Sequence, residues 1–355
     1  MADIRPLQRS DLPAVVELLK ANLPLWVPES QMLDSLAAEL IDDPWADDDL
    51  PSLVATDEQG ELSGFIAAHV RRMRFDDREL RAVCCSHLTV SPGKRGGAAG
   101  ALLLRKLLTA GQDLTFSDTA NLEVAHMWRT FGGYLDHARA CDWMVALRPV
   151  RWLRRLATDA VRRDLGRGQI PVGAFPFQAV RRNSGRWAFP EPDPDVTCTD
   201  VEAAEIAAEL PNMTRGYRLW VDYTEDFLSH LFAQVERQYG RLTKRLVRRG
   251  DRPLGWYAYI CNPTGIARVM HLHAPVRDHD ADAVLADLVA DAREQGSAVL
   301  AGRHEPQLTA MLQRRLPVLG FAQRPVIHSH DPEILAVAAS AASLLTRLDG
   351  EWFVS

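Results

Sequence analysis

The sequence predicts an α/β (α+β) chain of two domains, on three observations: a length of 355 residues, alternating strand and helix patterns, and a faint internal repeat. At roughly 100 to 200 residues per domain, the length supports two separate cores. Hydrophobic residues make up 47% and charged residues 25%, ordinary values for a globular protein and far from the disordered or fibrous classes. A net charge of −6 provides no global basic field to gather the phosphates of a nucleic acid. Asp3, Arg5, Arg9 and Asp11 interrupt the N-terminus where a secretory signal needs an apolar stretch. No window reaches about 18 uncharged apolar residues, so a cytoplasmic protein without stable membrane insertion is expected. The five cysteines are odd in number and form no C-x-x-C pair, which argues against a disulfide framework and against zinc. No metal is expected.

Residues 4–7 read as a short strand, and Ser10 or Asp11 caps a helix with apolar positions at Val15, Val16, Leu18 and Leu19. A Pro- and Asp-rich stretch leads to a strand at 52–56, and Gln59-Gly60 turns the chain into another at 62–70. A strand at 81–90 precedes Ser91-Pro92-Gly93 and a helix at 99–110. A strand at 114–117, a helix at 121–131 ending at Gly132-Gly133, and a strand at 142–147 complete a first domain, 1–148. Residues 149–195 read as a connector, basic and then Pro-rich. A helix at 150–164 within it buries Trp152, Leu153 and Leu156 and turns its arginines to solvent, or to an anionic substrate or membrane surface. The second domain, 196–355, reads as a helix at 224–239, strands at 245–247, 255–260 and 268–273, a helix at 281–295, a strand at 298–301 and a helix at 307–316. The repeat sets Ser86-His87-Leu88-Thr89-Val90-Ser91-Pro92 against Met270-His271-Leu272-His273-Ala274-Pro275. Each copy is followed by a helix, a short strand, a second helix and a glycine, Gly132 in the first and Gly320 in the second.

Chemistry concentrates after Val90, in Arg95-Gly96-Gly97-Ala98-Ala99-Gly100-Ala101. Small residues there let backbone N–H groups approach a ligand, and the unpaired amides of a helix N-terminus bind anions. No Gly-Lys-Ser/Thr follows and the GxGxxG spacing is missing, so neither a Walker turn nor a dinucleotide fingerprint is present.

The arrangement resembles the Gcn5-related N-acetyltransferase (GNAT) superfamily, whose Arg/Gln-x-x-Gly-x-Gly/Ala turn holds the coenzyme A pyrophosphate. Here Arg95-x-x-Ala98-x-Gly100 fits, with Ala98 in place of the usual glycine. Ile4-Arg5-Pro6-Leu7 with Asp11, and Asn121 with Trp128 and Phe131-Gly132, extend the likeness over roughly residues 3–147. The second half is similar through element order alone. The resemblance implies a tandem of two GNAT-like domains, each a mixed, mostly antiparallel sheet flanked by helices. The second copy is degenerate, with an acceptor-site and packing role.

The resemblance further implies direct attack of an acceptor amine on acyl-CoA, most simply acetyl-CoA, in a ternary complex. Leu88 and Val90 would offer strand amides to the thioester oxygen. Arg95, Gly96, Gly97, Ala98, Gly100 and Ala101 would hold the pyrophosphate, with Asn121 and Trp128 as further cofactor contacts. The attacking amine needs a base, and His87 is the residue near this strand that titrates near neutral pH. A hydrogen-bonded core histidine is the alternative reading of His87. Ser86, as a water-relaying group, and Asp118, as an acceptor-binding carboxylate, are the other candidates. Trp128 stands where many members carry a tyrosine acid, which leaves that role to Tyr134 or to solvent.

The second copy lacks the cradle, because Asp278 and Asp280 would repel a pyrophosphate. Its His271 and His273, with His279, His304, His328 and His330, match no standard metal spacing, and alternate histidines on a strand would share a face. A small-molecule acceptor such as an amino sugar or a metabolite intermediate is the expected partner, with no nucleic acid, and a homodimer is left open. Two other functions compete. One is an aminoacyl transferase similar to those that build peptidoglycan bridges from charged transfer RNA. The other is a non-catalytic acyl-CoA-sensing protein.

Overall fold

Two mostly antiparallel sheets, each with its own buried core, organise the chain. The computed structural model describes residues 3–22, 29–91, 96–148, 150–151, 192–263, 265–275, 278–315, 318–321 and 323–351. The described residues group into two compact units. The first draws on Met1–His137, Tyr217–Gln238 and Gln323–Ser355, the second on Ala138–Gly216 and Tyr239–Ala322.

The first unit begins with β1 (Asp3–Pro6), α1 (Leu12–Asn22), α2 (Glu29–Leu40) and β2 (Leu53–Thr56). A long hairpin of β3 (Leu62–Phe75) and β4 (Arg78–Val90) turns at Asp76-Asp77, where Asp76 adopts φ 52°, the left-handed conformation that a two-residue hairpin turn requires. Then come α3 (Gly96–Leu108), β5 (Leu114–Ser117), α4 (Leu122–Thr130) and β6 (Tyr134–Leu135). Side chains alternate across β3, so its two faces bury different helices. Phe65 and Ala67 meet Val15, Val16 and Leu19 of α1, while Ile66 and Ala68 share a cluster with Leu103, Leu104 and Leu107 of α3.

The second unit contains β7 (Cys141–Ala146), β8 (Val196–Asp200) and a helix α5 (Ala203–Met213). The chain returns to the first unit for β9 (Leu219–Val221) and most of α6 (Glu225–Tyr239). The second sheet resumes with β10 (Leu242–Arg249), β11 (Arg252–Cys261) and β12 (Ile266–Leu272). After these follow α7 (Asp278–Glu294), β13 (Val299–Arg303), α8 (Thr309–Arg315) and β14 (Val318–Phe321). Its strand order is β14-β7-β13-β12-β11-β10-β8. The last segment rejoins the first unit as β15 (Val326–His328), α9 (Pro332–Ala338) and β16 (Ser343–Leu344). The first sheet runs β1-β2-β3-β4-β5-β15-β6, with β9 on β3 and β16 on β9.

The repeated motif of the sequence corresponds to a repeated topology. In each unit a bulged antiparallel strand leads through a helix to a strand parallel to it, β4-α3-β5 in one and β12-α7-β13 in the other. The units nevertheless do not follow the boundaries read from the sequence. Strand β7, expected to close the first domain, pairs with β13 and β14 of the second sheet. Residues after 323, expected in the second domain, complete the first sheet through β15, which lies between β5 and β6. Apolar periodicity marks a strand but carries no information about its distant partner, and that is why both assignments differ. Most of the connector at 149–195, including all but the first two residues of its proposed helix, lies outside the described residues. Among the described residues no helix is long and apolar enough to cross a membrane.

Candidate active site

The site of the first unit forms where β4 outruns its neighbour. The parallel ladder pairs Ala82, Val83 and Cys84 with Leu114, Thr115 and Phe116, but β4 continues to Val90 while β5 stops at Ser117. On its other edge β4 slips register against β3. Ala67 faces Ser86 and Phe65 faces Thr89, so Ile66 opposes both His87 and Leu88 in a β-bulge. His87 there takes φ 54°, and it shares this left-handed conformation with Asp76 alone among the described non-glycine residues. Such a backbone is costly for a side chain with a Cβ and concentrates at functional sites.

The bulge lies beside a cavity of about 330 Å³ lined by Ser86, His87, Leu88, Thr89, Trp128 and Glu351, among others. His87 Nδ1 lies 2.8 Å from Ser86 Oγ, and His69 Nε2 lies 3.0 Å from the same oxygen. Ser86 and His69 are buried and His87 is half-buried. Burial pushes the His87 imidazole down to about 4, and that of His69 well below its ordinary value. This corrects the expectation that His87 titrates near neutral pH: its ring is a neutral hydrogen-bonding group there, with too little basicity to retain a proton.

The group in the cavity that does titrate near neutrality is Glu351, which sequence reasoning missed. Ser117 Oγ and the Asp118 backbone N–H donate to its Oε1, the latter at 2.9 Å, and Thr119 Oγ1 donates to its Oε2. Glu351 is 3% exposed, and burial, followed by the nearby Asp118 carboxylate, pushes its pKa up to about 7. The turn carrying it is locked in place. Asp118 Oδ2 accepts the Glu351 N–H at 3.1 Å, and a Cβ on Gly350 would fall 1.7 Å from that same oxygen. Just upstream, the buried Asp349 accepts from Tyr223 Oη and from the Thr346 N–H at 2.6 Å, while its carbonyl accepts Arg71 Nε at 3.0 Å. Asp118, expected to bind the acceptor, thus holds the Glu351 turn.

The expected cofactor cradle is described in part. Arg95 lies outside the described residues. Gly96 and Gly97 open α3, three residues earlier than predicted, and no acidic side chain occupies its first turn. Ala98 is exposed, Ala101 half-buried, and Gly100 is buried where a Cβ would meet Val90 Cγ1 at 3.4 Å. Gly64 on β3 is tighter still, with Leu103 Cδ1 at 2.9 Å, so β3, β4 and α3 pack closely behind the helix start. A helix start of small residues, with Ala98 exposed, beside an opened strand edge fits a group with a pyrophosphate and an extended arm.

Asn121 lines the cavity, but its Oδ1 caps α4 by accepting from Val124 N at 2.9 Å. Trp128 is 1% exposed and packs in the core beneath the cavity, tight against Gly133. Tyr134, the expected alternative acid, is 60% exposed on β6 and does not line the cavity.

In the second unit His271, His273 and His304 each have a partner of their own. His271 stacks on Trp256 at 3.7 Å, His273 Nε2 lies 3.0 Å from Met213 O, and His304 Nδ1 lies 2.7 Å from Ala138 O. Asp280, in the first turn of α7, is salt-bridged to Arg249 at 2.7 Å and to Arg252 at 2.9 Å. No group of three histidine, cysteine or acidic side chains among the described residues could hold a metal ion.

The bulged strand β4 and the helix α3 that follows it belong to a fold that the chain shares with solved acyltransferases. A probable N-acyltransferase from Enterococcus faecalis V583 is 8% identical, over 93% of this chain and 73% of its own, with a TM-score of 0.56. A GCN5-related N-acetyltransferase from Kribbella flavida is 13% identical over 93% and 72%, with a TM-score of 0.56. Saccharomyces cerevisiae N-myristoyltransferase with bound myristoyl-CoA is 12% identical over 92% and 77%, with a TM-score of 0.52. The chain has the GNAT fold. No family model matches its sequence, and no curated protein matches it either.

Proposed function

We propose that this chain is an acyl-CoA-dependent N-acyltransferase acting on the amine of a small polar acceptor, with acetyl as the simplest acyl group. The observation that carries this reading is the bulge at His87, which opens β4 beside a cavity that also contains a neutral-pH carboxylate. When bound, acyl-CoA supplies the acyl group activated as a thioester. The α3 start, with Arg95, would hold its pyrophosphate, and amides of the β4 edge near Leu88 and Val90 would stabilise charge on the acyl oxygen.

The acceptor enters as an ammonium and gives up two protons overall. Glu351 takes one and returns it to solvent, which a carboxylate near pH 7 does with little loss of driving force. His87 stays neutral and orients the nitrogen. The new N–C bond forms as the C–S bond breaks, and the leaving sulfur takes the second proton. Trp128 cannot donate it, because an indole N–H is far too weak an acid.

Binding of acetyl-CoA should raise the melting temperature, and thiol release should depend on an added amine. Arg95→Glu should abolish the shift by setting a carboxylate against the pyrophosphate. No shift with acetyl-CoA, longer acyl-CoA or free coenzyme A would remove this reading.

A further inference from the structure

The cavity beside the bulge has two unlike walls, and the bulge itself creates the difference. Cross-strand partners share a face of the sheet, and in an unbroken strand residues three apart point to opposite faces. Here His87 and Leu88 together oppose Ile66. Ser86, opposite Ala67, and Thr89, opposite Phe65, therefore emerge on the same face, the one that packs on α1. Ile66, Leu104 and Trp128 belong to the core under α3 and give the cavity an apolar side.

Most polar side chains of the lining are already engaged. The Ser117 and Thr119 hydroxyls donate to Glu351, and Ser86 Oγ lies between the rings of His69 and His87. Thr89 and Gln323 also line the cavity, and among the described residues neither side chain has a hydrogen-bond partner. Thr89 is 7% exposed, yet its hydroxyl is not one of the sealed, unpaired polar atoms of the fold, so its oxygen opens on the cavity. A hydroxyl held this deep without a partner is costly, and a ligand that supplies the partner recovers that cost.

A hydroxyl and a carboxamide each donate and accept, which suits the hydroxyl groups of a ligand. Glu351 Oε2 accepts from Thr119 alone among the described residues and keeps a lone pair for an ammonium hydrogen. No lysine or arginine is among the described residues that line the cavity, and the Asp118 carboxylate stands against the Glu351 backbone. A carboxylate or phosphate on the acceptor would meet like charge there and find no cation to pair with.

We infer that Thr89 and Gln323 are specificity-determining residues that pair with hydroxyl groups flanking the attacked nitrogen. The acceptor is then a hydroxylated amine without anionic groups, an amino sugar or amino alcohol and not an amino acid or a phosphorylated amine. The acylation of that amine rests on the reading under Proposed function, whereas the binding preference stands on the cavity.

Calorimetry on the full chain at pH 7.5, with and without coenzyme A, tests the preference through matched pairs of amines. Glucosamine against cyclohexylamine removes the hydroxyls, and serinol against serine replaces a CH₂OH by a carboxylate. Glucosamine and serinol should bind, cyclohexylamine more weakly, and serine at least about tenfold more weakly than serinol. Thr89→Val, which keeps the shape, and Gln323→Ala should each weaken glucosamine about five- to tenfold and leave cyclohexylamine and acetyl-CoA unchanged. A merely structural role would weaken all of these ligands together. Failure of both hydroxylated amines to bind, tighter binding of serine than serinol, or equal losses for glucosamine and cyclohexylamine in the variants overturns the inference. The wild-type comparisons decide this even if a variant fails to fold. Selective binding of hydroxylated amines with no thiol release from acetyl-CoA would leave the site standing and remove the acyltransferase reading instead.

Discussion

Glu351→Gln should make the protein more stable at pH 8 and nearly inactive. The carboxyl is pushed from an ordinary 4.5 to about 7 by burial and by Asp118. At about 1.36 kcal/mol per pKa unit, the difference corresponds to about 3 kcal/mol. An acid whose folded pKa lies above its unfolded value stabilises the fold below the unfolded value and loses that contribution as pH rises through the folded one. Wild-type stability should therefore fall between pH 4.5 and roughly 8, by that amount from this residue. The carboxamide introduced by Glu351→Gln has nothing to ionise, and it can still pair with the Ser117 and Thr119 hydroxyls and the Asp118 N–H. Variant and wild type should melt together near pH 4.5 and diverge by roughly 6–12 °C at pH 8 for a unit of this size. Amide-forming turnover should drop by about 10²–10⁴, as when a general base is removed. Asp118→Asn should move the wild-type inflection down, because the second cause of the raised pKa is gone. Parallel melting curves across this pH range would refute the reasoning, since they would mean that Glu351 has the same pKa folded and unfolded.

Gly350→Ala places a Cβ 1.7 Å from Asp118 Oδ2, so the turn must shift. A loss of about 2–4 kcal/mol is expected in urea unfolding, together with loss of the Glu351 inflection in the rate profile. Asp349→Ala strands the Tyr223 hydroxyl and the Thr346 N–H in a buried site. It should cost about 2–4 kcal/mol, read as a lower melting temperature, with Asp349→Asn milder. With its imidazole at about 4, His87 should contribute no inflection to the rate between pH 6 and 9, and His87→Ala should lower kcat while leaving acyl-CoA affinity unchanged. A titration near 6.5 that vanishes in His87→Ala would reinstate His87 as the base.

What the sequence made legible, and what it hid, follows from the range of the interactions involved. Strand β4, the small-residue start of α3 and the helix predicted at 121–131 are local patterns, and their predicted and observed bounds differ by three residues or fewer. The register slip at His87 leaves no such mark: nothing in Ser-His-Leu announces a left-handed residue, because the bulge exists only relative to β3. Glu351 was further from view. Its partners Ser117, Asp118 and Thr119 lie 232 to 234 positions away, and its pKa depends on burial that only those contacts create. One local signal was present, the Gly350-Glu351 pair, since a glycine directly before an acidic residue can mark a close backbone approach. Here that approach is to Asp118, a residue singled out for a different role. The GNAT fold rests on patterns that recur along the chain, whereas the proposed chemistry rests on contacts that β15 and the turn at 347–351 bring back to β5. Perturbing those contacts should therefore change catalysis and stability together, while perturbing the α3 start should change cofactor binding alone.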